Sequence, residues 1–133
     1  MRYEYTIPLP PVTKKNSQRI VVNKTTGRPF IMPSEHYRKW LSMAGWYLRG
    51  RPEIKRPVNV KCLFYMPTKR QVDLTNLLEA IDDALVYYGI IADDNSGVVA
   101  GHDGSRVRYD KANPRVEIMI DGGLDDDEIP FYP

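Results

Sequence analysis

The pattern of this chain predicts one small α+β domain, and three observations lead there. Its 133 residues match a single domain at roughly 150 residues per domain. Six short stretches alternate like strands, and two longer ones repeat their apolar residues every three to four positions. With 42% apolar and 27% charged residues, a chain of this length buries roughly two-thirds of its unfolded surface and needs no disulfides. Disorder, collagen and disulfide scaffolds are thereby excluded. The one cysteine, Cys62, has no partner within the chain, and the opening Met1-Arg2-Tyr3-Glu4-Tyr5 lacks a signal peptide's apolar stretch. No run approaches the roughly 20 apolar residues of a membrane span, so the expected location is the cytoplasm.

Residues 3–9 (YEYTIPL) alternate and are rich in aromatic and β-branched types, which reads as a strand halted by Pro8, Pro10 and Pro11. A basic loop, Lys14-Lys15-Asn16-Ser17, leads to Arg19–Asn23 and, past the turn Lys24-Thr25-Thr26-Gly27, to Arg28–Met32, a hairpin. Ser34 is placed as the N-cap of a first helix, whose Tyr37, Trp40, Leu41, Ala44, Tyr47 and Leu48 keep a helical rhythm until Gly50 and Pro52. Val58 to Met66 alternates and is closed by Pro67, which puts Cys62 in the core. From Leu74 the apolar positions 74, 77, 78, 81, 85 and 88 form the clearest helical stripe, ending at Gly89. Residues 98–109 and 115–120 read as two further strands. Tyr3, Tyr5 and Trp40 are assigned to the core ahead of an interface. Gly122 to Pro133 is polar and acidic, so the expected division is a domain over 1–121 and an acidic tail over 122–133.

The charges are separated along the chain. Residues 1–72 hold 15 Lys/Arg against 3 Asp/Glu, whereas residues 73–133 hold 4 against 14. Such asymmetry suggests a polyanion for the first part and cations or a basic partner for the second, unless folding mixes the two signs in space. On the second helix, at 100° per residue, Thr75, Glu79 and Asp82 fall within roughly 60° of one another, as do Asn76, Glu79 and Asp83. One face, opposite the leucines, is therefore expected to carry three carboxylates, with Asp73 before the helix and Asp93-Asp94 after it. Carboxylates this dense persist most easily where a cation offsets them. A plain solvated acidic face, with Asp73 or Thr75 as N-cap, explains the same pattern.

Other chemistry fits worse. His36 and His102 lie far apart in the sequence with no cysteine cluster, so a zinc site has little to be built from. No glycine-rich phosphate loop is present, and no base is positioned by sequence beside a serine or cysteine. Read as a calcium loop from Asp93, the sixth position is Val98 and the twelfth Gly104, where glycine and glutamate are needed. An oxygen-ligand site for a hard cation, Mg²⁺ above all, remains.

The string Asp73-Leu74-Thr75-Asn76-Leu77-Leu78-Glu79, then Asp83-Ala84-Leu85, Gly89-Ile90 and Asp93-Asp94, resembles the signature of the RusA family of Holliday junction resolvases. That family shows D-x-D-N-x-x-K, then D-A-L, a glycine-hydrophobic pair and D-D. The match runs without a gap from Asp73 to Asp94, and the proline-rich opening strand with Lys14-Lys15-Asn16-Ser17 extends it over roughly residues 3 to 120. The resemblance implies a RusA-like α+β fold with a mixed or antiparallel sheet and two main helices, a homodimer, and Mg²⁺-dependent cutting of four-way DNA junctions in recombination and repair. By position, Asp73 and Asp94 match family catalytic carboxylates, and Asp83 and Asp93 match further acids. Thr75 replaces the second aspartate and Glu79 the lysine, which is similar to a Thr/Glu variant among phage and prophage members. Thr75 and Glu79 are i, i+4 neighbours, so Glu79 is expected to supply the carboxylate missing at 75.

The implied catalytic residues are thus Asp73, Glu79 and Asp94, and the implied metal ligands Asp73, Glu79, Asp93 and Asp94. One or two Mg²⁺ ions there lower the pKa of an attacking water and stabilise the leaving oxygen. Lys14, Lys15, Arg19, Lys69 and Arg70 are the expected DNA contacts. The alternative is a junction-binding protein that the Thr75 and Glu79 exchange has left without catalysis. Leu124-Asp125-Asp126-Asp127-Glu128-Ile129-Pro130-Phe131 is similar to the acidic tip of bacterial single-stranded-DNA-binding proteins, although Tyr132 and Pro133 follow. The tail is accordingly a candidate contact for a partner or a cover for the protein's own basic groove.

Overall fold

In the computed structural model, residues 1–14, 19–32, 34–49 and 53–123 are described. They form β1 (Arg2–Ile7), β2 (Arg19–Val22), β3 (Pro29–Met32), α1 (Glu35–Ala44), β4 (Val58–Met66), α2 (Leu74–Tyr87), β5 (Val99–Gly101), β6 (Arg106–Tyr109) and β7 (Arg115–Asp121). The main sheet is mixed. β7 lies between β1 and β4, antiparallel to both, while β5 and then β6 run parallel along the other side of β4. β2 and β3 form a separate antiparallel hairpin. Its turn is built on Asn23, whose Oδ1 accepts from Thr25 N (2.9 Å) and Thr26 N (3.1 Å).

Alternation decides which face of the sheet is covered. Val58, Val60, Cys62 and Phe64 of β4, Val116, Ile118 and Ile120 of β7, and Tyr5 and Ile7 of β1 are all buried on one side. Against them pack Tyr37, Trp40 and Ala44 of α1 and Leu77, Ala80, Ile81, Ala84 and Leu85 of α2, in one apolar cluster. Full burial of a Leu, Ile or Phe contributes about 2 kcal/mol, so this cluster dominates the fold. Both helices therefore cover the same face. The other face, carrying Lys61, Leu63, Tyr65, Arg115, Glu117 and Met119, has no helix over it.

The helices meet closely at one glycine. Tyr88, at the end of α2, donates its hydroxyl to the carbonyl of Leu41. It passes so near Gly45 that a Cβ there would lie 2.6 Å from the Tyr88 oxygen. Ser34 caps α1 as expected, accepting from Tyr37 N at 3.0 Å, and Gly89 follows α2 with φ 71°, a value that favours glycine.

Three expectations are corrected. α1 ends at Ala44, so Tyr47 is exposed and only Leu48 of the last pair reaches the core. The single strand expected over 98–109 is two, broken by a turn at 102–105 in which Gly104 has φ 84°. The break has a reason: it lets Ser105 turn inward, where its Oγ accepts from Cys62 N at 3.0 Å. Asp82 is not on the solvated face but is 8% exposed. Cys62 is in the core as expected, and burial pushes its thiol well above the usual range. Tyr5 and Trp40 are buried, with Tyr3 half-buried. The acidic tail beyond Gly123, Lys15, and the side chain of Arg19 lie outside the described residues.

Candidate active site

The acidic helix begins at Asp73, its N-cap. The Asp73 carboxylate accepts from Thr75 N at 3.0 Å, and the Thr75 hydroxyl donates to the same oxygen. A negative charge is favoured there by the helix dipole and the unpaired first-turn N–H groups. The residue that departs from the aspartate pattern, Thr75, thus holds Asp73 in place. Glu79 is exposed on the same helix.

Farther along α2, Asp83 is met by Lys14, whose Nζ donates to Asp83 Oδ2 at 2.5 Å with both side chains partly buried. Lys14 arrives from the proline-rich segment after β1 and passes 5.7 Å from the Tyr37 ring centroid. Tyr37 in turn donates its hydroxyl to the carbonyl of Ala80 at 3.1 Å. Burial, then the negative charges of Asp83 and Glu79 with Tyr88 beside them, push the Tyr37 phenol far above its ordinary value. The phenol is a fixed donor, and Lys14 is anchored to the acidic helix instead of extending into solvent.

The Asp93-Asp94 loop is held at both ends. Before it, Ile54 N donates to Ile90 O and Ala92 N to Ile54 O, each at 2.9 Å; after it, Val58 N donates to Val98 O at 2.8 Å. Within the loop Asp93 is occupied by local bonds, accepting from Asp94 N (2.7 Å) and Asn95 Nδ2 (3.2 Å). Asp94 is exposed. Its carboxyl is pushed up, first by partial desolvation, then by its contact with Asp93 and by the nearby charge of Asp83. Asp94 therefore stands in the field of two other carboxylates.

The expected ligands do not converge on one point. Asp73 and Asp83 are ten residues apart, about 15 Å of helical rise, and Asp94 is near the Asp83 end. Among the described residues no three of His, Cys, Asp and Glu gather closely enough to hold a metal ion. The donor set fits a hard cation only as one or two carboxylates around Asp94, completed by water and phosphate, as suits Mg²⁺. It does not fit a single ion shared by Asp73, Glu79, Asp93 and Asp94.

A pair that sequence reasoning missed lies on the inner side of α2. Asp82 Oδ2 is 2.9 Å from His102 Nε2, and His102 Nδ1 is 2.9 Å from the carbonyl of Val60. A ring nitrogen facing a carbonyl must donate, and so must one facing a carboxylate, so this geometry calls for the imidazolium. Burial lowers the His102 pKa, but Asp82 outweighs it, and the net shift is upward. The sequence carried a signal: Asp82 is i+4 from Leu78 and i−3 from Leu85, within about 60° of both leucines.

Lys69 and Arg70 are exposed on the loop between β4 and α2, Lys69 Nζ lying 5.1 Å from the Tyr109 ring centroid. The expected DNA contacts are therefore divided, Lys14 being held at Asp83 and these two standing near the start of α2.

No curated protein matches this chain. The family model for the endodeoxyribonuclease RusA matches residues 8–121, a span that includes the capped Asp73, the whole of α2, the Asp93-Asp94 loop, the β2–β3 hairpin and every strand of the main sheet except β1. The chain belongs to the RusA endodeoxyribonuclease family.

Proposed function

We propose that the chain is an Mg²⁺-dependent, structure-selective endonuclease that acts as a homodimer on four-way DNA junctions in recombination and repair. The observation that carries this reading is Asp94, an exposed carboxylate beside Asp93 on a loop held at both ends, within a chain of this nuclease family. A divalent cation relieves the repulsion between the two carboxylates, and when bound it supplies Lewis acidity and an acidified water. In this reading Asp94 is the principal ligand. Asp73 and Glu79 are the further catalytic carboxylates, and Asp93 fixes the loop while adding charge. Lys14 neutralises Asp83, which limits the excess negative charge that DNA has to approach. Lys15, Arg19, Lys69 and Arg70 bind phosphates, and a second copy of the chain brings a second site to the opposite strand. Residues 1–121 are the nuclease domain and 122–133 a tail for partner contact.

The dispersal of the carboxylates favours one second reading, a junction-binding protein without catalysis. An end-labelled synthetic four-way junction and a linear duplex, each incubated with Mg²⁺ or EDTA, separate the two. Paired nicks confined to the junction, dependent on Mg²⁺ and lost in Glu79→Gln and Asp94→Asn, establish the nuclease. Tight junction binding without nicks establishes the second reading, and absence of junction binding removes both.

A further inference from the structure

The far edge of the sheet carries charge that no acidic side chain among the described residues neutralises. β6 is an outer strand, and all four of its residues, Arg106 to Tyr109, are exposed. Its parallel register sets Arg106 beside Leu63 and Arg108 beside Tyr65, so both arginines share the face that no helix covers. Val107 and Tyr109 point the other way and are still 40% and 46% exposed. At the end of the strand Asp110 N bonds to the carbonyl of Met66, which brings Tyr109 to the loop after β4, where Lys69 lies over its ring. Arg70 follows, and three residues later the chain reaches Asp73.

The contrast with the other arginines of the sheet is informative. Arg2 has Glu4 at 3.2 Å, and Arg115 has Asp110 at 3.0 Å and Glu117 at 2.9 Å. Among the described residues Arg106, Arg108, Lys69 and Arg70 have no such carboxylate. An edge strand needs some charge to repel other strands, and lysine suffices for that. Here the exposed pair is arginine, whose planar fork suits phosphate. Two positions along a strand are about 6.6 Å apart, at 3.3 Å per residue. That is close to the spacing of two neighbouring phosphates along one DNA strand, since phosphates wind around the axis and stand farther apart than the roughly 3.4 Å rise per step.

We infer that β6 forms a phosphate-binding track, in which Arg106 and Arg108, side by side on the face that no helix covers, hold the backbone of a DNA arm. The inference rests on the nuclease reading and extends the DNA interface to a strand outside it. Its occupant is a polyanion because the track offers two exposed arginines that have no carboxylate partner among the described residues.

The test is the salt dependence of binding to a fluorescent four-way junction in EDTA between 50 and 200 mM salt, for wild type, Arg106→Ala/Arg108→Ala and Arg2→Ala. Each lost phosphate contact lowers the slope of log K against log salt by about 0.9, so the double variant is expected to lose about 1.8. Arg2→Ala, on the opposite strand of the sheet, is expected to leave the slope unchanged, and Arg106→Lys/Arg108→Lys to retain most of it. Thermal melts confirm that these exposed substitutions keep the fold. An unchanged slope in the double alanine variant overturns the track, as does an equal loss in Arg2→Ala. If wild type nicks junctions while the double variant keeps its slope, the track alone falls. If wild type neither binds nor nicks any DNA, the nuclease reading falls and the track with it.

Discussion

Replacing His102 by alanine removes the only side-chain hydrogen-bond partner that Asp82 has among the described residues and leaves its carboxylate buried, Oδ1 having no partner there either. Breaking a fully buried ion pair on one side costs about 3–5 kcal/mol. Here the imidazole is 26% and the carboxylate 11% exposed, so solvent screens part of the charge and about 2–3 kcal/mol is expected near pH 6. For a domain of this size that corresponds to a drop of about 10 °C in Tm. The pH dependence has a definite sign. The folded-state pKa of His102 is raised, so the pair's stabilisation is complete below the unfolded value of about 6.5 and disappears as pH rises through the folded value. The gap between wild type and His102→Ala should therefore be widest at pH 6 and narrow toward pH 9. Urea unfolding followed by the fluorescence of tryptophan, with Trp40 buried at 5% exposure as a reporter, measures it. Adding Asp82→Leu to His102→Ala removes the stranded carboxylate and should recover most of the loss. A gap that stays constant from pH 6 to pH 9, or a double variant no more stable than the single, refutes the imidazolium assignment.

Two further outcomes follow from close contacts. Gly45→Ala drives a methyl group into the Tyr88 ring, breaking the bond to the Leu41 carbonyl. It should cost about 1–3 kcal/mol by urea denaturation, and Tyr88→Phe, which removes the hydroxyl nearest the new methyl, should relieve part of that cost. A double-mutant cycle of Lys14→Met and Asp83→Asn should give a coupling of about 1 kcal/mol, reduced in 1 M salt because both side chains keep some solvent contact. A coupling near zero means that the lysine is not held at the helix.

Most of the fold was legible because its signals are local. Ser34 before a 3–4 repeat, alternation from Val58 to Met66, and Gly89 after the leucine stripe each fix an element from within a dozen residues. The sites of failure depend on partners distant in sequence. The break at 102–105 exists because Ser105 and His102 reach back to β4 and α2, some forty and twenty residues earlier. Asp82 looked like part of an acidic face because helical arithmetic places a residue only by angle. Near the boundary of the apolar stripe, a cation from another element decides which side it takes. The same limit applied to the site itself. Sequence spacing grouped Asp73, Glu79, Asp93 and Asp94 as one motif, although the six positions from Asp73 to Glu79 already set them about 9 Å apart along the helix axis. It did not show that Lys14, read as a DNA contact, is taken up by Asp83.

The pairing of β1 with β7 has a consequence for how the chain is made. Arg2 stands beside Asp121, Ile7 beside Val116, and Gly122 N bonds to the carbonyl of Met1. β7 is the only strand that joins β1 to β4. During synthesis, then, more than half of the apolar sheet face waits for the last strand to leave the ribosome, and until it does β1 and β4 keep unpaired backbone edges. A nascent chain stopped before Arg115 has its helices and hairpin but no closed core, a state open to pairing with its neighbours. The same proximity offers a remedy. A short linker from Gly123 back to Met1, with new ends opened in the exposed turn at residues 24–26, would let β1 and β7 be made one after the other.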